Sequence, residues 1–297
     1  VRAFMNLDIP TDCIVPTVGS MQAAFAINML VSQLDDQRDT ILFLDPCFPV
    51  QKQQCKVIGV RVDSFDVADF RGEVLAAELE RHFKSGRIAA MLFSNPNNPV
   101  GCIYSYDEIV AIAAMAKQYG ATLLVDELYS RQVYPGTEYT HLCALEEIPD
   151  NLVTIIGPSK TESLSGYRLG VAFGTAEIIE RMEKLQAIMA LRCSGYNQAV
   201  LKTWFNEPEG WMAQRVAAHQ DIRDAIMAKL EGVPGVFAKP TQGGSYLFVT
   251  IPELDVSLHQ FIRILRELAG VTVTPGTEFG PQYVHQFRIN FSQDKKK

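Results

Sequence analysis

The sequence has no apolar run that approaches the roughly 18 residues needed to cross a bilayer. It also lacks the charged and apolar segments that open a signal peptide. These absences argue against a membrane-spanning or secreted protein. They predict a soluble protein of the cytoplasm.

Positive charge is scarce as well. Lys and Arg total 27 against 34 Asp and Glu, which gives a formal net charge of −7, and the only basic run is Lys295, Lys296 and Lys297. Nucleic acids and anionic membranes attract proteins through clustered positive charge. We therefore expect neither of them as a partner of this chain.

The six cysteines form no C-x-x-C pair, and no histidines stand at the spacing of metal ligands. Scattered cysteines are typical of reduced thiols in the cytosol. The sequence therefore predicts neither a disulfide framework nor a metal site. Internal repeats and low-complexity segments are missing too.

What remains is ordinary for a soluble enzyme: 297 residues, 47% of them hydrophobic and 21% charged. Seven short aliphatic or β-branched runs alternate in part with segments of helical periodicity, and this predicts an α/β fold with a mostly parallel seven-stranded sheet flanked by helices. The strand candidates are 13–18, 41–45, 59–65, 89–95, 122–127, 152–157 and 169–173. The helix candidates are 20–34, 72–86 and 106–120.

The pattern changes in the last third of the chain. Residues 175–232 are mainly helical, and after Gly235 strands alternate with a helix at 257–270. This predicts a smaller C-terminal α+β domain. We assign residues 1–208 to the large domain and 209–297 to the small one.

Polar residues follow several predicted strands, and ligands of such sheets lie beyond the carboxyl ends of the strands. Gly19, Ser20 and Met21 open a helix after the first strand, where free N–H groups can hold a phosphate. Phe48 follows the second strand in a proline-rich turn. The Gly-Ser step also fits an ordinary turn, and the phenylalanine also fits a core position.

The next three strand ends carry more chemistry. A loop with Asn98 follows 89–95, and Asp126 and Tyr129 follow the run TLLV. A carboxylate after four apolar residues needs a cation or several donors, unless it is a helix N-cap. After 152–157 come Ser159 and Lys160, with Arg168 eight residues beyond the lysine, which is either a nucleophile or a surface lysine.

Together these residues offer a phosphate cradle, a stacking ring, amide and phenol donors, a carboxylate, a lysine and an arginine. Pyridoxal 5′-phosphate needs an amine for its aldehyde, an anion for its ring nitrogen, donors for its phenolic oxygen, a flat surface and phosphate ligands. The set therefore predicts a pyridoxal-phosphate site.

The motifs, in the same order, resemble those of the class I/II aminotransferases, fold type I pyridoxal-phosphate enzymes typified by aspartate aminotransferase. SNPNNPVG, VDELY and SKTESLSGYRLG are similar to the family's N-P-x-N-P-x-G, D-E-x-Y and S-K-x5-G-x-R-x-G segments, and DPCFP, VTPGTEFG and FRINFS also match. The resemblance covers nearly the whole chain. It implies a homodimeric transferase that moves an amino group between an amino acid and a 2-oxo acid.

The resemblance also implies a role for each residue. Lys160 would form the Schiff base and move the proton, Asp126 would pair with the pyridine nitrogen, and Arg288 would bind the substrate carboxylate. Asn98 and Tyr129 would donate to the phenolic oxygen, and Phe48 would stack on the ring. The phosphate ligands would be Ser20, Met21, Ser159 and Arg168.

The chain departs from the family in three places. Gly157 stands where a hydroxyl residue often supplies a phosphate ligand, and Phe48 stands where tyrosine is common. The family also has a substantial N-terminal segment before the first strand, and the sequence given starts at Val1 without it. We therefore expect trimmed ends.

Two other functions use the same residues. One is a different fold type I reaction, such as a carbon–sulfur β-lyase or an amino-acid synthase. The other is the aminotransferase-like sensory domain of a transcription regulator. The sequence does not identify the amino acid substrate, and Arg192, Tyr196 and Tyr246 fit a pocket, a solvated position or the core equally well.

Overall fold

The computed structural model describes residues 1–31, 33, 37–68 and 70–293. The terminal lysines lie outside these ranges, as do residues 32 and 34 of the first predicted helix.

The seven predicted strands form one sheet, so this part of the fold prediction is confirmed. Six strands run parallel, and β7 runs antiparallel to both of its neighbours. The order across the sheet is β1-β7-β6-β5-β4-β2-β3. The strands are β1 Ile14–Val18, β2 Thr40–Asp45, β3 Arg61–Asp66, β4 Ile88–Ser94, β5 Thr122–Asp126, β6 Leu152–Ile156 and β7 Leu169–Gly174.

Helices cover both faces of this sheet. In the described residues the α-helices are α1 Arg2–Met5, α2 Gly19–Val31, α3 Pro49–Val57, α4 Glu73–Phe83, α5 Tyr106–Gln118, α6 Ala176–Ala190, α7 Gly195–Gln198, α8 Trp211–Leu230 and α9 Leu258–Ala269. The sequence pattern did not predict α3. The sequence of α3, PVQKQQCKV, is rich in glutamine and has few apolar residues. Pro49 in its first turn is the one clear signal for a helix start.

Strand alternation explains why both faces are apolar. Ile41 and Phe43 pack with α2 and α6, while Leu42 and Leu44 pack with α4 and α5. A strand that is buried on both sides has to be apolar through its middle, as β2 is at 41–44 and β4 is at 88–93, with polar residues only at the strand ends. Polar groups are therefore expected at the strand ends.

The C-terminal third forms a second, antiparallel sheet in the order β10-β11-β9-β8. Its strands are β8 Phe237–Ala238, β9 Tyr246–Thr250, β10 Thr274–Pro275 and β11 Gln286–Asn290. Leu247 and Val249 point to the back of this sheet, where they pack in one apolar cluster with residues of α8 and α9. The alternate residues of β9 and β11 face the carboxyl edge of the large sheet.

Candidate active site

Five parallel strands bring their carboxyl ends to one edge of the large sheet. The segments that follow β1, β2, β4, β5 and β6 converge there, and β7 starts at the same edge because it is antiparallel. Nine of the ten predicted site residues line a single cavity at this edge. They are Ser20, Met21, Phe48, Asn98, Asp126, Tyr129, Ser159, Lys160 and Arg168.

Lys160 lies in a tight turn directly after β6. The Ser163 N–H donates to the Lys160 carbonyl at 3.1 Å, and the Leu164 N–H donates to the Pro158 carbonyl at 3.0 Å. The Lys160 Nζ lies 5.8 Å from the centre of the Tyr129 ring. The ammonium group is therefore held over the end of β5.

Asp126 is the last residue of β5 and points to the same face as Leu124, towards α3. Its Oδ1 accepts from the Leu128 N–H at 3.2 Å, and its Oδ2 accepts from Gln51 Nε2 at 3.4 Å. Burial raises the pKa of Asp126 from 3.8 to about 6, against the opposing effects of the Leu128 N–H and the Lys160 charge. A cation bound beside this carboxylate would stabilise its charge and lower its pKa again.

The next acid in the chain, Glu127, points away from the cavity. Its Oε2 is 2.5 Å from His141 Nδ1, and burial raises the pKa of the Glu127 carboxyl. The two adjacent acids therefore have different surroundings, because successive side chains at the end of an extended strand point to opposite sides.

An anion cradle lies at the amino end of α2. Gly19 has a φ of +70°, and a Cβ there would lie 2.6 Å from Arg168 Nη2. A Cβ on Gly170 would lie 2.8 Å from the Ser20 nitrogen. These glycines let the Arg168 guanidinium and the start of α2 approach each other, where free N–H groups and the helix dipole favour a phosphate.

Gly157 has a structural reason of its own. A Cβ at this position would lie 3.1 Å from the Leu169 carbonyl oxygen, so β6 and β7 approach closely just before Lys160. A larger side chain would require the Leu169 backbone to move by a few tenths of an ångström. Ser165, which was not predicted as a site residue, also lines the cavity.

Asn98 and Tyr129 are both buried. Tyr129 Oη donates to Tyr246 Oη at 2.8 Å, and burial raises the pKa of Tyr129 well above its usual value. Asn98 Oδ1 accepts from Arg288 Nη1 at 2.9 Å. Arg288, the tenth predicted residue, therefore comes from β11 and meets the cavity through Asn98.

Four residues that line the cavity or contact its carboxylate were not predicted from the sequence. Ser94, Leu128 and Ser165 also line the cavity, and Gln51 contacts Asp126 from α3. The one sequence feature that could have indicated Gln51 is Pro49, which starts helix α3. Nothing local in the sequence marks the other three as site residues.

The donor set fits pyridoxal 5′-phosphate. An amine, a partly buried carboxylate, an amide and phenol pair, a half-buried ring and an anion cradle all face one cavity. Within the described residues no group of three or more His, Cys, Asp and Glu side chains is arranged to hold a metal.

The chain was compared with known proteins. A sequence model of the family described as aminotransferase class I and II matches residues 3–297. An aspartate aminotransferase of Pyrococcus horikoshii is 26% identical over 301 residues, which is all of this chain and 75% of that protein. The chain thus spans about three quarters of that relative.

Solved structures are similar over the same extent. The aspartate aminotransferase of Rhodobacter sphaeroides superposes with a TM-score of 0.92 at 45% identity, covering 99% of this chain and 76% of that one. Cystalysin of Treponema denticola, whose crystal structure contains pyridoxal 5′-phosphate, gives a TM-score of 0.90 at 20% identity and the same coverage. At that identity the second likeness shows the fold alone.

Proposed function

Because the chain belongs to the aminotransferase class I and II family, we propose that Lys160 is the residue that binds the cofactor covalently and moves the reacting proton. The protein is a pyridoxal-phosphate-dependent aminotransferase, which transfers an amino group between an amino acid and a 2-oxo acid. The likeness to cystalysin does not favour a lyase, since it extends to the fold only. The observation that carries the proposal is the convergence of nine predicted residues on one cavity.

When bound, pyridoxal 5′-phosphate supplies an aldehyde for the amino group and a ring that accepts the electrons of the broken Cα–H bond. Asp126 keeps the ring nitrogen protonated through an ion pair. The Lys160 amine would take the proton from the substrate Cα and give it to the carbon that was the aldehyde of the cofactor. The turn after β6 and the ring of Tyr129 fix the place of that amine.

The remaining residues orient the reactants. The N–H groups of Ser20 and Met21, the Ser159 hydroxyl and the Arg168 guanidinium hold the phosphate. Support for this comes from the close approach that Gly19 permits between α2 and Arg168.

Three side chains act on the ring and its phenolic oxygen. Asn98 and Tyr129 would donate to that oxygen, and Phe48 would stack on the ring. Asn98 and Tyr129 are buried, so little water competes for these hydrogen bonds.

Arg288 binds the α-carboxylate of the substrate. A guanidinium group meets a carboxylate with two parallel hydrogen bonds, which fixes the orientation of the Cα–H bond relative to the ring. Arg288 Nη1 donates to Asn98 and Nη2 donates to Thr274 Oγ1 at 3.2 Å. These two hydrogen bonds hold the guanidinium group in place.

The relatives named above supply the first substrate to test. Two of the three, those of Pyrococcus horikoshii and Rhodobacter sphaeroides, are aspartate aminotransferases, so we propose aspartate as the first amino donor. Of the described residues that line the cavity, only Lys160 and Arg168 are positively charged. A second carboxylate of the substrate would therefore need a cation from elsewhere.

Borohydride reduction and mass spectrometry test the role of Lys160. Wild-type protein incubated with the cofactor is expected to give a reduced adduct on Lys160, while Lys160→Arg, which keeps the charge, gives none. Aspartate as sole substrate is then expected to yield a 2-oxo acid and aminated cofactor. Pyruvate, ammonia or a thiol released from a sulfur-containing amino acid would point to the lyase instead.

We also propose that residues 1–208 and 209–297 form two domains. The side chains of α8 from Val216 to Leu230 pack behind the small sheet, whereas Trp204 and Leu201 pack with β6 and β7. The boundary at 208 lies between these two apolar clusters. Limited proteolysis that cleaves first near 206–210 would support it, and first cuts within α8 would contradict it.

A homodimer in the cytoplasm is the proposed working form. Ile188, Leu191 and Tyr196 follow one another at the end of α6 and beyond it, with 82%, 75% and 79% exposure. Exposed apolar side chains that lie close together in the chain favour a protein–protein interface. Light scattering should give twice the monomer mass, and Leu191→Glu should halve it.

All six cysteines are free, which supports a reducing compartment, and no described helix could span a membrane.

A further inference from the structure

Tyr246 links the two halves of the site. It is the first residue of β9, and its side chain lies on the face of the small sheet opposite Leu247. Only 6% of Tyr246 is exposed. Its Oη lies 2.8 Å from Tyr129 Oη, and the two rings meet edge to face at 5.6 Å.

The same ring supports Arg288. The centre of the guanidinium lies 4.1 Å from the centre of the Tyr246 ring, close enough for a cation–π contact. Phe279 lies 5.2 Å from the same guanidinium. Arg288 Nε is buried and has no hydrogen-bond partner among the described residues, so the aromatic rings provide much of its support.

We infer that Tyr246 is a positioning residue of the transamination, acting through the Tyr129 hydroxyl on the cofactor and through the Arg288 guanidinium on the substrate carboxylate. This inference rests on the proposed function. Tyr246 has two separable parts, a hydroxyl that meets Tyr129 and a ring that meets Arg288.

The hydroxyl contact affects the cofactor. A phenol both donates and accepts, and its proton can rotate. When Tyr129 donates to the cofactor's phenolic oxygen, its own oxygen accepts from Tyr246, and hydrogen bonds in such a chain strengthen one another. A stronger hydrogen-bond donor stabilises the phenolic oxygen of the cofactor in the form that is negatively charged and shares no proton. Tyr246 therefore lowers the pKa at which the visible absorption of the bound cofactor changes.

The ring contact affects the substrate. Arg288 loses side-chain freedom when it binds a carboxylate, and a ring that already holds the guanidinium reduces that loss. Removing the ring should weaken binding of the substrate, whereas removing only the hydroxyl should not.

Two substitutions separate these effects. Tyr246→Phe removes the hydroxyl and keeps the ring, and Tyr246→Leu removes both. Tyr104→Phe is the matched control, since Tyr104 is 1% exposed and its hydroxyl has no hydrogen-bond partner among the described residues. Thermal unfolding of each variant, with cofactor bound, checks that the fold is retained.

The first measurement is a pH titration of the visible absorption of the holoenzyme without substrate. For Tyr246→Phe we expect the apparent pKa to rise by about half a unit. This is the effect expected of one neutral hydrogen bond that acts on the cofactor indirectly, through the Tyr129 hydroxyl. The Tyr104→Phe titration should match the wild type. An unchanged pKa in Tyr246→Phe, or an equal shift in the control, overturns the role of the hydroxyl.

The second measurement is the dissociation constant of an unreactive dicarboxylate, such as maleate, for the holoenzyme. Tyr246→Leu should bind it about fivefold more weakly than Tyr246→Phe, as expected for a partly desolvated cation–π contact. Equal affinity of these two variants overturns the role of the ring. Should Tyr246→Leu fail to fold, Tyr246→Met supplies the same comparison with a flexible apolar side chain.

Failure of the proposed function looks different. If wild-type protein forms no adduct at Lys160, both proposals fall together. If the wild type forms the adduct and Tyr246→Phe titrates like the wild type, only the inference about the Tyr246 hydroxyl fails.

Discussion

Replacing Asp126 by asparagine should make the cofactor-free protein more stable at neutral pH while it impairs transamination. Asp126 is partly buried, with the Leu128 N–H and Gln51 as its hydrogen-bond donors. Without the cofactor, its charge is therefore poorly compensated above pH 6. Asparagine has nearly the same shape and carries no charge.

The magnitude follows from the pKa. Burial raises the pKa of Asp126 from 3.8 to about 6. Between these values the folded protein binds more protons than the unfolded chain, so the free energy of unfolding falls as the pH rises from about 4 to about 6. Two pKa units correspond to about 3 kcal/mol. Asp126→Asn should remove this loss, and the gain should be complete above pH 6 and vanish near pH 4.

The site can accommodate the new side chain. The asparagine oxygen can still accept from the Leu128 N–H, as Asp126 Oδ1 does. Its amide can donate to Gln51 Oε1, which has no hydrogen-bond partner among the described residues. The Gln51 amide has to turn over for this contact, so its Nε2 takes the unpartnered place that Oε1 now has, and the number of unpartnered polar atoms does not rise.

Urea and thermal unfolding of the cofactor-free proteins between pH 4 and pH 8 provide the assay. At pH 7 we expect the variant to unfold roughly 5 °C above the wild type. Added pyridoxal 5′-phosphate should reverse the order, because only the wild type gains an ion pair with the ring nitrogen.

Asp45→Asn is the matched contrast. Asp45 is 4% exposed and its Oδ1 lies 2.5 Å from Lys52 Nζ, so removing its charge leaves a lysine without its partner. That variant should be less stable than the wild type at pH 7. A stability difference for Asp126→Asn that is negative at pH 7, or that stays the same from pH 4 to pH 8, would refute the reasoning.

Three further predictions concern other parts of the site. Gly19→Ala should weaken cofactor binding at least about tenfold in a fluorescence titration, because a Cβ there meets Arg168 at 2.6 Å; Gly59→Ala, with a φ of +75° and open space, is the control for backbone strain, and equal affinities would contradict the cradle. Arg131→Met should lower the free energy of unfolding by about 3–5 kcal/mol in urea, since two partly or fully buried carboxylates lose their partner; a loss below 1 kcal/mol would argue against this network. Arg288→Lys should reduce kcat/KM about 10- to 100-fold, mostly through KM, because lysine cannot form the two-pronged contact; wild-type kinetics would exclude the assigned carboxylate contact.

Strand and helix patterns in the sequence were enough to predict the large sheet. Runs such as TILFLD and IAAMLFS are apolar except at their ends because both of their faces are buried, and each is followed by a turn. The capping box of Ser105 and Glu108 marks the start of α5 in the same local way. The weakly apolar α3 gave no such pattern. Because Gln51 contacts Asp126 from that helix, this contact was missed with it.

Several features depended on contacts between distant segments. Tyr246 is separated from Tyr129 by 117 residues, and no spacing in the sequence relates the two hydroxyl groups. The same holds for Arg288 and Asn98, which are 190 residues apart. Only the packing of the small sheet against the edge of the large one decides these pairs.

The sequence by itself determined which chemical groups are present, and in what order, because strand ends, glycines and the lysine turn are local features of the chain. The tertiary structure decided which groups meet. The direction of β7 brings Arg168 to the edge where α2 begins, and the alternation along β5 turns Asp126 into the cavity and Glu127 away from it. Both outcomes arise from long-range strand pairing and helix packing, which no short stretch of sequence specifies.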